Sequence, residues 1–183
     1  MEIIKTDFEG LLILVPKVIV DSRGFFMESY NYNKLKELGI DNNFVQDNHS
    51  LSEYGVIRGL HFQNPPYAQT KLIRAISGEI LDVVVDIRKS SSTYGKHLSV
   101  MLSAENKKQL LIPKGFAHGF SVISENAEIL YKCDNFYNKS SEGGLKFNDT
   151  DLNIDWKIPK DKVLVSDKDL NQLNFQSFKS QFE

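Results

Sequence analysis

The sequence predicts an all-β fold, a β-sandwich of the jelly-roll kind with a few short peripheral helices. Three observations carry that expectation. Short runs rich in Val, Ile, Leu and Phe recur along the chain, separated by Gly, Pro, Asn, Asp and Ser. Helical periodicity is confined to a few brief segments. One run, Glu79 to Arg88, alternates cleanly, with Leu81, Val83, Val85 and Ile87 on one face and Asp82, Val84, Asp86 and Arg88 on the other. Many strands at short spacing with few helices fit two packed sheets.

Taken in order, Leu11 to Val20 reads as one or two strands interrupted at Pro16, which has no N–H to give a sheet. Asp21-Ser22-Arg23-Gly24 is a turn into the strand Phe25 to Ser29. Asn33 to Leu38 predicts a helix, ended by Gly39 at the position a left-handed cap favours. Gln46-Asp47-Asn48 reads as a polar turn. Gly55 to Gln63 reads as strand, closed by the stiff corner Asn64-Pro65-Pro66. After Glu79–Arg88, whose Asp82, Asp86 and Arg88 look like an exposed or interface charge ladder, further strands are expected at 97–102, 109–112, 119–123 and 128–132. Ser166-Asp167-Lys168-Asp169 suits a helix N-terminus, with short helices over 169–173 and 176–181.

At 183 residues the chain fits one domain spanning 1–183 with an ample core. A content of 41% hydrophobic and 25% charged residues is that of a globular protein. The net charge of -2 gives no overall field toward nucleic acid or an anionic membrane, so an anion would have to be held by locally placed Arg and Lys. Apolar runs such as Leu11 to Val15 are too short for a membrane span, and Met1 to Lys5 does not open a signal peptide. The single cysteine, Cys133, forms no intrachain disulfide and suits a reducing compartment, so a cytoplasmic location is expected.

Chemistry concentrates in two clusters. Gly55-Val-Ile-Arg-Gly-Leu-His-Phe-Gln63, continued by Gln69-Thr70-Lys71, sets a candidate proton acceptor (His61) beside two cations (Arg58, Lys71) and an amide (Gln63). Neighbouring positive charge of this kind suits an oxyanion. Pro113 to Phe120 adds His118 between glycine and aromatic residues. A metal site is not expected, because His61 is flanked by Leu60 and Phe62 where a metal-binding sandwich of the cupin kind supplies His-x-His. Arg23 and Glu28 bracket a glycine turn: either a solvated hairpin end, or a clamp in which Arg forks a phosphate. Tyr131 and Cys133 share a strand face, the first a rim tyrosine or a general acid, the second a small buried hydrophobe.

Together these segments resemble the dTDP-4-dehydrorhamnose 3,5-epimerase family. The matching pieces are Asp21-Ser-Arg-Gly-Phe-Phe-Met-Glu28, Gln46-Asp-Asn-His-Ser50, Gly55 to Gln63, Gln69-Thr-Lys-Leu72, Gly78 to Arg88, Ser92-Thr-Tyr-Gly95 and Pro113-Lys-Gly-Phe-Ala-His-Gly-Phe120, and the likeness continues to Asp169. The resemblance implies a cupin-type sandwich working without metal or organic cofactor. It also implies a homodimer that exchanges strands and inverts C3 and C5 of a dTDP-4-keto-6-deoxy-hexose. By the same resemblance His61 is the proton acceptor, Tyr131 the proton donor, Lys71 the cation beside the C4 carbonyl and Asp169 the partner of the histidine. Tyr137 stacks on thymine, and Arg23, Glu28, Gln46, Asn48, Arg58, His118, Glu142 and Lys168 contact the substrate. The alternatives are a relative epimerising one centre, or one acting on another nucleotide keto-sugar such as a GDP-linked heptose.

Overall fold

Two antiparallel sheets pack face to face in the computed structural model, which describes residues 1–183. The first sheet has six strands: β1 (Glu2–Lys5), β2 (Leu12–Val15), β5 (Gln46–Glu53), β7 (Lys71–Ser77), β10 (Gln109–Ile112) and β12 (Asn126–Cys133), in the order β1-β2-β10-β7-β12-β5. The second contains β6 (Ile57–Gln63), β8 (Glu79–Asp86), β9 (His97–Ser103), β11 (Phe116–Val122) and β13 (Glu142–Gly144), in the order β13-β6-β11-β8-β9. A separate hairpin, β3 (Val18–Asp21) and β4 (Gly24–Met27), pairs with neither sheet. Pro16 falls between β2 and β3, so the interruption expected there is real.

The space between the sheets is filled from both sides. Ile73, Leu110 and Ile129 come from the six-stranded sheet, and Ile80, Val84 and Phe120 from the five-stranded one. Each such side chain, fully buried, stabilises the fold by about 1.5–3 kcal/mol. A second apolar layer lies on the outer face of the five-stranded sheet, where Leu81, Val83 and Val85 meet Leu145, Leu152, Trp156 and Phe182 of the C-terminal segment. Strand β8 is therefore covered on both faces.

That double cover corrects the reading of Asp82 and Asp86 as an exposed charge ladder. Both are fully buried. Asp86 receives Arg88 Nη2 at 2.7 Å, Ser91 Oγ at 2.6 Å and Thr93 Oγ1 at 2.6 Å, while Asp82 faces His118. Alternation distinguishes two faces but does not show that the polar one meets water.

The helix α1 (Tyr32–Glu37) ends as its glycine predicts. Gly39 has φ +85, its N–H donates to Lys36, and Ile40 N–H returns to the Leu35 carbonyl, burying Ile40 beside Leu35. The helix α2 is Asp167–Leu170, two residues earlier than expected, because Ser166 caps it by accepting from Asp169 N–H. The tail holds only a single 3-10 turn, Phe175–Ser177, in place of a helix over 176–181. Gln46-Asp47-Asn48 opens β5 instead of forming a turn. This edge strand is polar at every position but the exposed Leu51, because its inner positions face a cleft and its outer ones face water.

Candidate active site

One end of the sandwich is open, and both sheets send polar side chains into it. From the five-stranded sheet, His61 on β6 lies directly across from His118 on β11. Glycines allow this pairing: a Cβ on Gly59 would sit 2.5 Å from Gly119 Cα and 2.8 Å from the His118 carbonyl oxygen. Gly59 also has φ +130, where side chains are strained. From the opposite sheet, Lys71 on β7 and Tyr131 on β12 line the same cleft, about 550 Å³ in volume, together with Arg58, Lys168 and Asp169.

The carboxylate of Asp169 is almost wholly buried at the head of α2. Its Oδ1 lies 2.5 Å from His61 Nε2, and its Oδ2 accepts the Gly59 N–H at 3.2 Å. Burial works to raise the Asp169 pKa, but the hydrogen bonds from His61, Gly59 and Ser166 outweigh it and hold the acid below its usual range. His61 is thus fixed by an ionised partner on one ring nitrogen while the ring reaches the cleft. His118 is held in parallel fashion, its Nε2 3.0 Å from Asp82 Oδ2, while the other oxygen of Asp82 has no partner. Burial pushes the His118 pKa down, as do Lys71 and His61, against the opposing pull of Asp82.

Burial acts in opposite senses on the two groups from the six-stranded sheet. It lowers the pKa of the Lys71 ammonium, with Cys133, Asp82 and Glu142 resisting, and raises that of the Tyr131 phenol. Arg58 is tethered at the cleft wall, its Nε donating to Ser52 Oγ at 2.9 Å. Cys133 is buried as expected, with Asn48 Nδ2 3.7 Å from its sulfur.

An adjoining cleft of about 390 Å³ shares His61, Lys71 and Tyr131 and adds Gln46, Asn48, Tyr137 and Glu142. Glu142 joins two of the remaining candidates across the mouth: Lys168 Nζ lies 2.5 Å from its Oε1, and the Tyr137 hydroxyl donates to Oε2 at 3.3 Å. Gln46 donates to Asn48 Oδ1 and accepts the Tyr137 N–H at 3.0 Å.

Eleven of the thirteen candidate residues therefore converge; Arg23 and Glu28 line neither cleft. Arg23 sits at the tip of the β3–β4 hairpin, 88% exposed and paired only with Asp21, while Glu28 pairs with Lys34 at 2.7 Å. The hairpin lines a separate groove with Arg74, Ile76 and Lys107, so within one chain these two stand apart from the others. Sequence reasoning missed Asp82 and Ser52 as supports of His118 and Arg58. The signal for Asp82 was present: an acid inside Ile80-Leu81-Asp82-Val83-Val84 is a buried polar group by context.

A profile of the dTDP-4-dehydrorhamnose 3,5-epimerase family matches residues 5–177. The Shigella flexneri dTDP-4-dehydrorhamnose 3,5-epimerase is 55% identical over 176 residues, covering 96% of each chain. The crystal structure of the enzyme of that name from Elizabethkingia anophelis superposes with a TM-score of 0.92 at 52% identity, covering 96% of this chain and 97% of the other. The dTDP-6-deoxy-D-glucose-3,5-epimerase of Legionella pneumophila, solved in complex with dTDP-4-keto-L-rhamnose, gives a TM-score of 0.93 at 45% identity, with 97% and 94% covered. Sequence likeness over nearly the whole chain thus agrees with a cupin-type sandwich whose open end gathers a paired histidine, a lysine and a tyrosine, and on that joint footing the chain belongs to the dTDP-4-dehydrorhamnose 3,5-epimerase family.

Proposed function

We propose that this chain inverts C3 and C5 of a dTDP-4-keto-6-deoxy-hexose and releases dTDP-4-dehydro-L-rhamnose, acting as one domain over residues 1–183. The observation that carries the reading is the disposition of His61 and Tyr131, which enter one cleft from opposite sheets with Lys71 in the same space. Both target carbons flank the C4 ketone, so removing a proton from either gives an enolate whose negative charge rests on O4. His61 takes that proton, and the ionised Asp169 stabilises the imidazolium as it forms. Lys71 supplies positive charge to O4, an effect of about 3 kcal/mol for one well-placed donor in a dry site.

Inversion requires the new proton to arrive on the other face of the ring. Tyr131 gives it, since burial keeps the phenol protonated. The tyrosinate and imidazolium then return to their starting states by exchange with water, so no oxidant or reductant is consumed. His118, held by Asp82 through Nε2, contacts the sugar at the cleft floor. Arg58 and Lys168 bind the diphosphate, Tyr137 stacks on the thymine, and Gln46, Asn48 and Glu142 complete the contacts.

Arg23 and Glu28 fit this scheme through a second copy of the chain. The hairpin carries exposed Ile19, Val20, Phe25 and Phe26, an apolar surface that a homodimer covers. Exchange of the hairpin between subunits brings the Arg23 guanidinium to the partner's diphosphate. No helix is long and apolar enough to cross a membrane, and the unpaired Cys133 suits the cytoplasm.

The decisive experiment is incubation with dTDP-4-keto-6-deoxy-glucose in deuterium oxide, with the product read by NMR. Deuterium at both C3 and C5 and the L-configuration are expected. Label at one carbon only would identify a single-centre epimerase, and none would remove the assignment.

A further inference from the structure

Gln63 stands out because it is buried, polar and unused by the chemistry above. It is 6% exposed and lies two residues beyond His61 on the same strand, so both project from one face of β6. Its amide is fully engaged by backbone: Nε2 donates to the Tyr67 carbonyl at 2.7 Å and the Phe136 carbonyl at 3.2 Å, and Oε1 accepts the Asn138 N–H at 2.7 Å. The last two partners bracket Tyr137. The tyrosine itself is more than half exposed and keeps only a backbone bond to Gln46 and a hydroxyl bond to Glu142. Two other amides tie down the approach to the same loop, with Gln69 Nε2 donating to the Asn135 carbonyl and Asn135 Nδ2 to the Pro66 carbonyl.

We infer that Gln63 is a positioning residue which fixes Tyr137 at a set distance from His61 and so governs how tightly the nucleotide end of the substrate is held. This rests on the function proposed above. Only an amide meets the pattern: two carbonyls call for donors and one N–H calls for an acceptor. A carboxylate would turn negative oxygen toward two carbonyls, and an apolar side chain of the same length would take their partner from three backbone groups. With its anchor on the strand that bears the base, the loop aligns the nucleotide with the sugar's reacting carbons.

The test measures kcat and KM for dTDP-4-keto-6-deoxy-glucose, and dTDP binding by calorimetry, in the wild type, Gln63→Met, Gln63→Glu, Tyr137→Ala and both double variants. Each Gln63 variant should raise KM and weaken dTDP about tenfold, with kcat within about twofold of wild type. On the Tyr137→Ala background the same change should have almost no further effect, because the group it positions is gone. A purely structural amide would instead weaken both backgrounds alike, and that result overturns the inference, as does an unchanged KM. Gln63→Glu keeps the acceptor for Asn138 and supplies the answer should Gln63→Met not fold. An inactive wild type would count against the proposed function, whereas an active wild type with indifferent Gln63 variants counts against this inference alone.

Discussion

The cleft floor and the β3–β4 hairpin are both built from antiparallel strands, yet they hold their polar residues in opposite ways. On the floor, His61 and His118 are each clamped by a buried carboxylate, and the strands beneath them are covered on both faces. On the hairpin, Arg23 is bonded only to its turn neighbour Asp21, and Phe25 and Phe26 are mostly exposed. The floor is finished within one chain. The hairpin leaves its side chains largely in water. A strand thus gains a fixed geometry from the layer packed upon it, and where that layer is missing the polar residues stay unclamped.

The sharpest way to break this comparison is at the floor. His61→Asn should lower turnover by at least about 10³-fold and abolish solvent exchange at C3 and C5; exchange surviving near the wild-type rate would place the base elsewhere. Tyr131→Phe should lose inversion by about 10²-fold or more while retaining measurable exchange, because the first proton is still removed. Lys71 offers a pH test. Burial lowers the pKa of its ammonium and raises that of Tyr131, so Lys71 sets the alkaline limb of kcat/KM, at a pH below that of free lysine. Lys71→Arg, permanently charged, should shift that limb upward even as the rate falls; an unmoved limb would assign it to another group.

At the hairpin the effects are smaller and concern assembly. Phe25→Ser with Phe26→Ser should give monomers by light scattering, and Arg23→Ala should raise KM about tenfold with the dimer intact. A dimer that survives the double change would show that the hairpin is not the interface. The mildest effect belongs to His118. Its folded pKa lies below its unfolded value, so the unfolded chain takes up a proton that the native state refuses. Stability is then full above about pH 6.5 and falls as the pH drops below it, a loss read by urea titrations across that range. His118→Gln should flatten that dependence.

Much of this was legible in the chain. β8 followed from its alternation, the end of α1 from Gly39, and four of the eleven convergent residues (Arg58, His61, Lys71 and His118) from the two motif clusters, the other seven coming from the family resemblance. The parts that escaped share a cause. β5 has one apolar residue, Leu51, because it faces a cleft on one side and water on the other, so no apolar face marks it as a strand. Asp82 and Asp86 looked solvated because alternation says nothing of a second sheet, which closes over the face they share with Ile80 and Val84. Arg23 carries a recognisable motif, but a motif does not state how far its side chain stands from the rest of the site.

The bare backbone contact between Gly59 and Gly119 has a practical consequence for anyone wishing to alter substrate choice. The histidine-bearing strands cannot be moved apart or given bulk at that point without unseating both imidazoles, so one wall of the pocket is closed to redesign. On the opposite wall β7 and β12 carry Lys71 and Tyr131, so diversification is best directed to the edge strand β5.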